Sequence, residues 1–390
     1  MSAASRAIPS ATGRPPRVLF ACGGTGGHVY PAIAIADAVR AERPDASVAF
    51  AGTRERMEWN AVPAAGYEIH AVTVSGFQRG LSPEALVRNL SFPLKLGAGM
   101  VDSLRLVGGF DADVVVGTGG YVAGPVGLAA SLRGVPLVLQ EQNAYAGATN
   151  KLLARRADTV FIAFEAARPY FPPDKTVLAG NPVRAGLADA LRADALAHFD
   201  IEDAPERRVL LVMGGSLGAA PLNDVVRRNL DALLAEPGHV VVWATGRRYH
   251  DSIAAAVPAH ARLRVLPYID RVDFAYAAAD LALCRAGAIT CSELAATGTA
   301  AVLVPSPNVV ADHQTRNARA LSTAGAAVLL HQDELMERFE EIVPPLLGDP
   351  MRLVDMEASA RALARPDAAQ RIARRVLELA GVESAAPTLR

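Results

Sequence analysis

The chain is poor in the features that mark specialised chemistry or a specialised compartment. Cysteine occurs only three times in 390 residues, as Cys22, Cys284 and Cys291. None stands in a CxxC pair or beside a His-rich stretch. Neither a disulfide framework nor a zinc site is expected, and a reducing cytoplasm fits. The formal charge is only -1, so no global basicity points to nucleic acid. No stretch reaches about 18 uninterrupted apolar residues, so no transmembrane helix is expected. Residues 1–15 are small and polar, with Arg6 and Arg14, and lack the apolar segment of a signal peptide; they read as a disordered extension.

What is present is a globular composition, 51% apolar, on a chain too long for one ordinary core, so two domains are expected. Short apolar runs alternate with helical patterns. "RVLFAC", "SVAFAG", "EIHAVTV", "ADVVVGT", "PLVLQEQ", "TVFIAF" and "TVLAG" read as strands, with helices between them such as 31–41 and 124–133. This alternation predicts βα units and parallel sheets whose strands are apolar on both faces. From Arg207 the pattern restarts with "RRVLLVMGGSLGAAPLNDVV", followed by "HVVVWAT", "LRVLPYI", "LALCRAG" and "AAVLVPS". "RVLFACGGT" and "RVLLVMGGS" match at one offset, pairing Arg17 with Arg208, Gly23 with Gly214, Gly24 with Gly215 and Thr25 with Ser216. Two similar doubly wound α/β domains are expected, 16–180 and 185–365, divided near "AGNPVRAG", where Asn-Pro favours a turn. The apolar stripe of "AAQRIARRVLELAG" suits packing back on either domain; completion of the N-terminal one by residues 366–384 is one of those outcomes.

Each half opens with a glycine-rich loop, "GGTGGH" or "GGSLGA", and a third loop, "GTGGYVAGP", also follows a strand. Glycine lets backbone N–H groups approach a ligand with no Cβ in the way. The first N–H groups and the dipole of a starting helix favour an anion. Tight turns made for packing use glycine in the same way, so one loop alone decides nothing. No loop carries the lysine of GxxxxGK[ST], so a P-loop is not expected. A dinucleotide fingerprint wants an acidic residue about 20 residues on, at the end of the second strand. Here Gly52 and Thr53 stand there and Glu55 comes late, so nicotinamide binding has weak support. Two domains with facing ligand loops suit group transfer between two bulky molecules.

The segments "GGTGGHVYPAIAIA", "GTGGYVAGPVGLAA", "EQNAYAGATNKLLA", "GNPVR", "GGSLGA" and "CRAGAITCSELAATGTAAVLVPSPNVVADHQTRNARAL" run in order from Gly23 to Leu321. Together they resemble the MurG family of bacterial glycosyltransferases. The resemblance implies the GT-B architecture, an α/β fold of two doubly wound Rossmann-like domains whose parallel sheets face a deep cleft. It implies inverting transfer of N-acetylglucosamine from UDP-N-acetylglucosamine to the C4 hydroxyl of lipid I, N-acetylmuramyl-(pentapeptide)-pyrophosphoryl-undecaprenol, giving lipid II for peptidoglycan. No cofactor and no bound metal are implied. A nicotinamide oxidoreductase, a non-catalytic sugar-nucleotide binder and another lipid-acceptor transferase stand as competing readings.

On the C-terminal domain the resemblance places the donor. Ser216 would contact its phosphates, with an N-cap serine as the plainer alternative. Ala288, Ile289, Thr290, Cys291 and Ser292 would line the nucleotide. Glu293 would accept hydrogen bonds from the ribose diol, a task suited to a carboxylate; a first-turn glutamate favoured by the helix dipole is its alternative. Ile269 would touch uracil, Gln314 the sugar hydroxyls and Arg184 the donor. Thr25, Gly26, Gly27 and Asn143 are assigned to the donor as well. On the N-terminal domain Gly23, Gly24, Gly119, Gly120 and Tyr121 would hold the acceptor diphosphate together with His28. Asn143 both donates and accepts, which suits a sugar contact or the orientation of a catalytic group. His28 follows the glycines where the acceptor hydroxyl must lose its proton, and histidine's near-neutral titration makes it the candidate general base. A histidine that only binds substrate or closes a helix start is the alternative.

The acceptor is a lipid although no segment spans a bilayer. Residues 76–106 mix Phe77, Leu81, Leu86, Leu90, Phe92 and Leu94 with Arg79, Arg88, Lys95 and Arg105. Apolar groups rimmed by cations suit contact with anionic lipid, and equally an amphipathic core helix. Pro93 would break any long helix here. The resemblance favours a peripheral protein on the cytoplasmic face of the cell membrane, at its inner leaflet. UDP-N-acetylglucosamine and lipid I are the implied substrates, other cell-wall synthesis and division proteins are candidate partners, and nucleic acid is not among them.

Overall fold

The structure is a computed structural model and describes residues 14–74, 92–202, 204 and 206–382. The chain divides into two compact units, Met1–Pro182 with Pro366–Arg390, and Val183–Arg365. The first holds seven strands: β1 (Arg17–Ala21), β2 (Ser47–Gly52), β3 (Glu68–Ala71), β4 (Val114–Gly117), β5 (Leu137–Glu141), β6 (Thr159–Ile162) and β7 (Thr176–Leu178). They form one parallel sheet in the order β3-β2-β1-β4-β5-β6-β7, in register at Phe20↔Phe50 and Val18↔Val114. The second unit holds β8 (Arg208–Met213), β9 (His239–Ala244), β10 (Leu263–Leu266), β11 (Leu281–Cys284), β12 (Ala300–Leu303) and β13 (Ala327–Leu329), in the order β10-β9-β8-β11-β12-β13. The two windings are the same through their first six strands, which gives the repeated "RVL…GG" its structural meaning.

The sequence dictates this layering directly. Val18, Leu19, Phe20 and Ala21 of β1 are all fully buried, so both faces of the strand are covered, as an apolar run without alternation requires. In each sheet the winding reverses beside the first strand, between β1 and β4 and between β8 and β11. Loops leaving the carboxyl ends of those strands splay apart at the reversal, which makes a crevice for ligands in open α/β sheets.

Two helices begin earlier than their apolar patterning implies. The first runs Gly26–Glu42, and another runs Gly120–Leu132. Extended Thr25 (φ -142°) takes the cap position, and its carbonyl accepts from the His28 and Val29 N–H groups at 3.0 and 3.2 Å. His28 therefore lies inside the first turn, and Pro31 is tolerated within the helix. The strand β13 is only three residues long; it lies in the short apolar run "AAVLL", which is not among the runs read as strands. Pro93, a helix breaker by its chemistry, falls in the first turn of the helix Phe92–Gly109, where a missing N–H costs nothing. Phe77, Arg79, Leu81, Leu86, Arg88 and Leu90 of the lipid-contact segment lie outside the described residues, as do residues 1–13. Lys95, Leu96 and Arg105 are exposed. No helix among the described residues is long and apolar enough to cross a membrane.

The helix Ala368–Leu379 packs on the helix Gly26–Glu42 of the first unit. Ile372, Ala373 and Val376 join Ile35 and Val39 in one fully buried cluster. At its margins Arg374 pairs with Glu42 at 3.3 Å, and the Arg375 guanidinium donates to the Thr159 hydroxyl at 3.2 Å. Truncating a fully buried isoleucine typically costs about 2–5 kcal/mol through lost transfer energy and a cavity. Ile372→Ala should lower the unfolding free energy of the first unit by that amount in chemical denaturation; a loss below about 1 kcal/mol would show that the helix docks only loosely.

Candidate active site

At the reversal of the first sheet, the loop after β1 and the loop after β4 meet backbone to backbone. Gly120 has φ +80°, and a Cβ on it would stand 2.3 Å from the Gly23 carbonyl oxygen. Gly119, at φ +111°, packs on the imidazole of His28, where a Cβ would come within 2.8 Å of Nδ1. The Thr118 hydroxyl donates to the His28 carbonyl at 2.8 Å. His28 Nδ1 lies 2.9 Å from Gln142 Oε1. Gly23, Gly24, Thr25, Gly26, Gly27, His28, Gly119, Gly120 and Tyr121 are thus gathered at one crevice. Tyr30 and Tyr121 stand exposed near the starts of the two helices.

Two buried carboxyl groups set the loops of this crevice. Glu58 is fully buried and accepts from the N–H groups of Gly24 and Thr53, both at 3.1 Å. It ties the β1 loop to the β2 loop, and it turns the Gly24 N–H inward rather than toward a ligand. Glu141 accepts from the Asn143 and Gly147 N–H groups at 3.0 and 2.9 Å and from Asn150 Nδ2 at 2.9 Å. Asn143 Nδ2 is turned to the same carboxyl at 3.4 Å. The loop that carries Asn143 is therefore shaped by Glu141 and leads into the helix Ala148–Leu153.

In the second unit the corresponding reversal gathers the loop after β8 and the helix Ala288–Thr297 that follows β11. The β8 loop is a tight glycine turn: Gly215 and Gly218 have φ +89° and +74°, and a Cβ on Gly218 would lie 2.2 Å from the Thr245 carbonyl oxygen. Ser216 is exposed on this turn. It is not the N-cap of the helix Ala220–Arg228, whose cap position belongs to Ala219. Glu293 is the sixth residue of its helix, beyond the first turn, so the dipole reading does not apply to it. Its carboxyl accepts from the buried Tyr276 hydroxyl at 2.9 Å. Burial pushes the Glu293 carboxyl above the usual carboxylate range, offset in part by the Tyr276 bond and by the charge of Arg184. Arg184 and Glu293 are thus electrostatic neighbours. Cys291 is buried on the same helix, Ser292 donates to the Ala288 carbonyl at 3.0 Å, and Ile269 is buried beyond β10. Gln314 Oε1 accepts from the Ser306 N–H at 2.9 Å, which turns its amide nitrogen outward as a donor. Arg285 fixes the surrounding loops through the carbonyls of Val304 and Pro305, each at 3.1 Å, and Gln332 Oε1 at 2.6 Å.

Other chemically suggestive groups lie elsewhere or are inert. Asp111 and Asp113 have the spacing of an Asp-x-Asp clamp but sit before β4, at the opposite end of the sheet from the crevice. There Asp113 pairs with Arg14 at 2.7 Å and accepts from the Arg17 N–H at 2.8 Å. A pocket at that end is lined by Arg17, Arg40, Arg105 and Glu68; two of its guanidinium groups bond carbonyls just past helix ends, Arg17 donating to Phe110 O at 2.5 Å and Arg40 to Gly66 O at 3.4 Å. All three cysteines are buried free thiols; burial pushes Cys284 up to about 12, and raises Cys22 and Cys291 as well. Among the described residues no group of three or more His, Cys, Asp and Glu side chains is placed to hold a metal.

Sequence reasoning missed Glu58, Gln142, Thr118 and Tyr276. Each acts through a partner distant in sequence; Thr118 and Gln142 stand inside quoted motif segments, but nothing in those segments says which distant group either will meet. Thr25, Gly26, Gly27 and Asn143 lie in the first unit beside the acceptor residues, whereas Arg184, Ser216, Ile269, Ala288–Glu293 and Gln314 lie in the second.

Two like-wound units, each with a crevice at its switch point, are a fold that binds nucleotide-linked ligands, and the family models make this one a glycosyltransferase. Residues 18–162 match the glycosyltransferase family 28 N-terminal domain, and residues 209–372 match the family 28 C-terminal domain. A curated relative from Salinibacter ruber, named UDP-N-acetylglucosamine--N-acetylmuramyl-(pentapeptide) pyrophosphoryl-undecaprenol N-acetylglucosamine transferase, is 56% identical over 94% of this chain and 98% of its own length. One of the same name from Chlorobium limicola is 42% identical over 93% of this chain and 99% of its own. The crystal structure of Acinetobacter baumannii MurG superposes with a TM-score of 0.76 at 34% identity, covering 93% of this chain and all of that one. The chain belongs to the MurG family of glycosyltransferases.

The raised Glu293 carboxyl has a consequence for stability. A carboxyl raised by folding is favourable while protonated, and that contribution is lost as pH rises through its folded-state value. Glu293→Gln removes the loss. The melting temperature of the variant relative to the parent should therefore climb as pH rises above the ordinary carboxylate range, about pH 4. A difference that stays flat or falls over that rise would show that Glu293 is not strained by burial.

Proposed function

We propose that this chain transfers N-acetylglucosamine from UDP-N-acetylglucosamine to the C4 hydroxyl of lipid I, giving lipid II for peptidoglycan. The observation that carries this reading is the placement of His28, its ring fixed among the glycine loops of the first unit with Nδ1 turned inward to Gln142. Nε2 then takes the proton of the acceptor hydroxyl as its oxygen attacks the anomeric carbon. The bond from that carbon to the UDP oxygen breaks with inversion. Ser216 and the first turns of the helices Ala220–Arg228 and Ala288–Thr297 receive the charge that develops on the departing diphosphate. Ala288–Ser292 and Ile269 line the nucleotide. Glu293, anchored through one oxygen by Tyr276, offers the other to the ribose diol. Arg184 supplies a cation near the donor, and Gln314 donates to its sugar. Gly23, Gly24, Gly119, Gly120 and Tyr121 shape the acceptor side, with Thr25, Gly26, Gly27 and Asn143 placed for the sugar to be transferred.

The same reading makes the chain a peripheral protein of the inner leaflet, working beside other cell-wall synthesis and division proteins. Lys95, Leu96 and Arg105, exposed on the helix Phe92–Gly109, support a lipid-facing surface. Sedimentation with anionic vesicles should carry the protein down, and the absence of binding at low ionic strength would remove this part of the proposal.

The direct test is incubation with UDP-N-acetylglucosamine and a short-chain lipid I analogue, followed by mass analysis. The product should gain one N-acetylhexosamine. His28→Ala should lower kcat by about 10²–10⁴-fold, the usual contribution of a general base, while UDP affinity is kept. A kcat within a fewfold of the parent, with only a raised acceptor KM, would make His28 a binding residue.

A further inference from the structure

Behind His28 lies a chain of buried side-chain amides whose orientations are forced. Gln142 is 1% exposed, Gln140 is fully buried and Asn181 is 3% exposed. Gln142 Nε2 donates to two backbone carbonyls, Thr118 O at 2.6 Å and Gln140 O at 3.0 Å. A carbonyl can only accept, so this end of the amide must be the nitrogen. The reversed amide would set an oxygen 2.6 Å from a carbonyl oxygen with no proton between them. Oε1 is therefore the atom facing His28 Nδ1. An amide oxygen brings no proton to that contact, so Nδ1 must supply it.

The amides behind Gln142 hold it in this sense. Gln140 Oε1 lies against Gln142 Nε2. Gln140 Nε2 donates to Asn181 Oδ1 at 2.9 Å, and Asn181 Nδ2 donates back to the Gln142 carbonyl at 3.0 Å. Each amide presents its nitrogen to one neighbour and its oxygen to another, so reversing one would leave buried donors and acceptors facing their own kind. Asn181 stands one residue before Pro182, where the chain leaves the first unit.

We infer that Gln142 is a positioning residue that locks neutral His28 in the Nδ1–H tautomer, leaving the lone pair on Nε2, and that Asn181 holds Gln142 in place through Gln140. This rests on His28 being the base of the proposed transfer for its catalytic meaning, but not for its geometry. The glutamine does not touch substrate. It decides which nitrogen of the ring is able to take a proton. Its oxygen also stays bonded to Nδ1–H after Nε2 has been protonated, so the ring need not turn during the reaction.

The test is nitrogen NMR of the full chain carrying ¹⁵N-labelled histidine, with the His28 signals identified by their loss in His28→Ala. At a pH where the ring is neutral, the parent should show a protonated Nδ1 and an unprotonated Nε2. Gln142→Met keeps the length of the side chain but has no acceptor, and should shift His28 toward the opposite tautomer. Gln142→Glu, in its protonated form, donates its hydroxyl to the Thr118 carbonyl and keeps an oxygen toward Nδ1, and should retain the parent pattern. On the short-chain lipid I analogue, Gln142→Met should lose about 10- to 100-fold in kcat, less than loss of the base itself, with the KM for UDP-N-acetylglucosamine unchanged. Asn181→Leu should move the tautomer in the same direction by a smaller amount. A parent His28 protonated on Nε2 overturns the inference, as does a folded Gln142→Met protein, judged by its melting curve, that keeps both the parent tautomer and the parent kcat. Transferase activity with the wrong tautomer sinks this inference alone. The expected tautomer without any transfer sinks the functional reading and leaves the positioning geometry standing.

Discussion

The first unit's site depends on one close approach of backbone to backbone, Gly120 on Gly23. With no Cβ at residue 120, the helix that follows β4 can begin directly against the β1 loop. That contact brings Gly119 onto the His28 ring and the Thr118 hydroxyl onto the His28 carbonyl. It also lays the Thr118 carbonyl where Gln142 can bond to it. A side chain at residue 120 would force the two loops apart and detach all of these together. Its φ of +80° adds a second reason for glycine. The glycines of the crevice are therefore there as much to let protein meet protein as to let protein meet ligand.

Three buried or partly buried carboxyl groups in the site region are treated differently, and the difference separates those spent on the scaffold from the one proposed to meet the ribose. Glu58 and Glu141 are each enclosed by backbone N–H groups of the loops they shape, so their hydrogen-bonding capacity is turned inward. Glu293 has the Tyr276 hydroxyl on one oxygen and is held above the usual carboxylate range by burial. A carboxyl that burial holds above its ordinary range would gain from the hydroxyl donors of the proposed ribose contact, which bond to its remaining oxygen. Preference for the charged form would then rise on ligand binding, which makes occupancy and ionisation of Glu293 mutually reinforcing.

Much of the architecture was legible in the sequence because parallel strands buried on both faces leave near-continuous apolar runs. "RVLFAC" and "ADVVVGT" announce β1 and β4, and the shared offset of "RVLFACGGT" and "RVLLVMGGS" announces two like-wound sheets. The short edge strand β13 sits in the apolar run "AAVLL", which is no longer than many helix segments and was passed over. Helix starts were misjudged because glycine and threonine have low helix propensity, yet Gly26 and Gly120 are helical: close packing, not propensity, fixes those ends. In the site, residues carried by motif segments were readable, while their supports were not. Glu58 lies 34 residues from Gly24, and Gln142 lies 114 from His28. Nothing local in "RERMEWN" or "EQNAY" says which distant backbone group either will meet. Gln142 stood beside Asn143, which drew attention, without a pattern of its own.

The helix Ala368–Leu379 completes a core that begins at Val18, although the whole of Val183–Arg365 intervenes. During synthesis the apolar side of the helix Gly26–Glu42 emerges from the ribosome long before its cover exists. Since domains fold as units while the chain is still emerging, the second unit, continuous in sequence, is able to close on itself first. The first must wait, with Ile35 and Val39 uncovered, until the last helix is released. The nascent chain thus carries an uncovered apolar helix face for most of its synthesis, and the half begun first is the half whose segments are finished last.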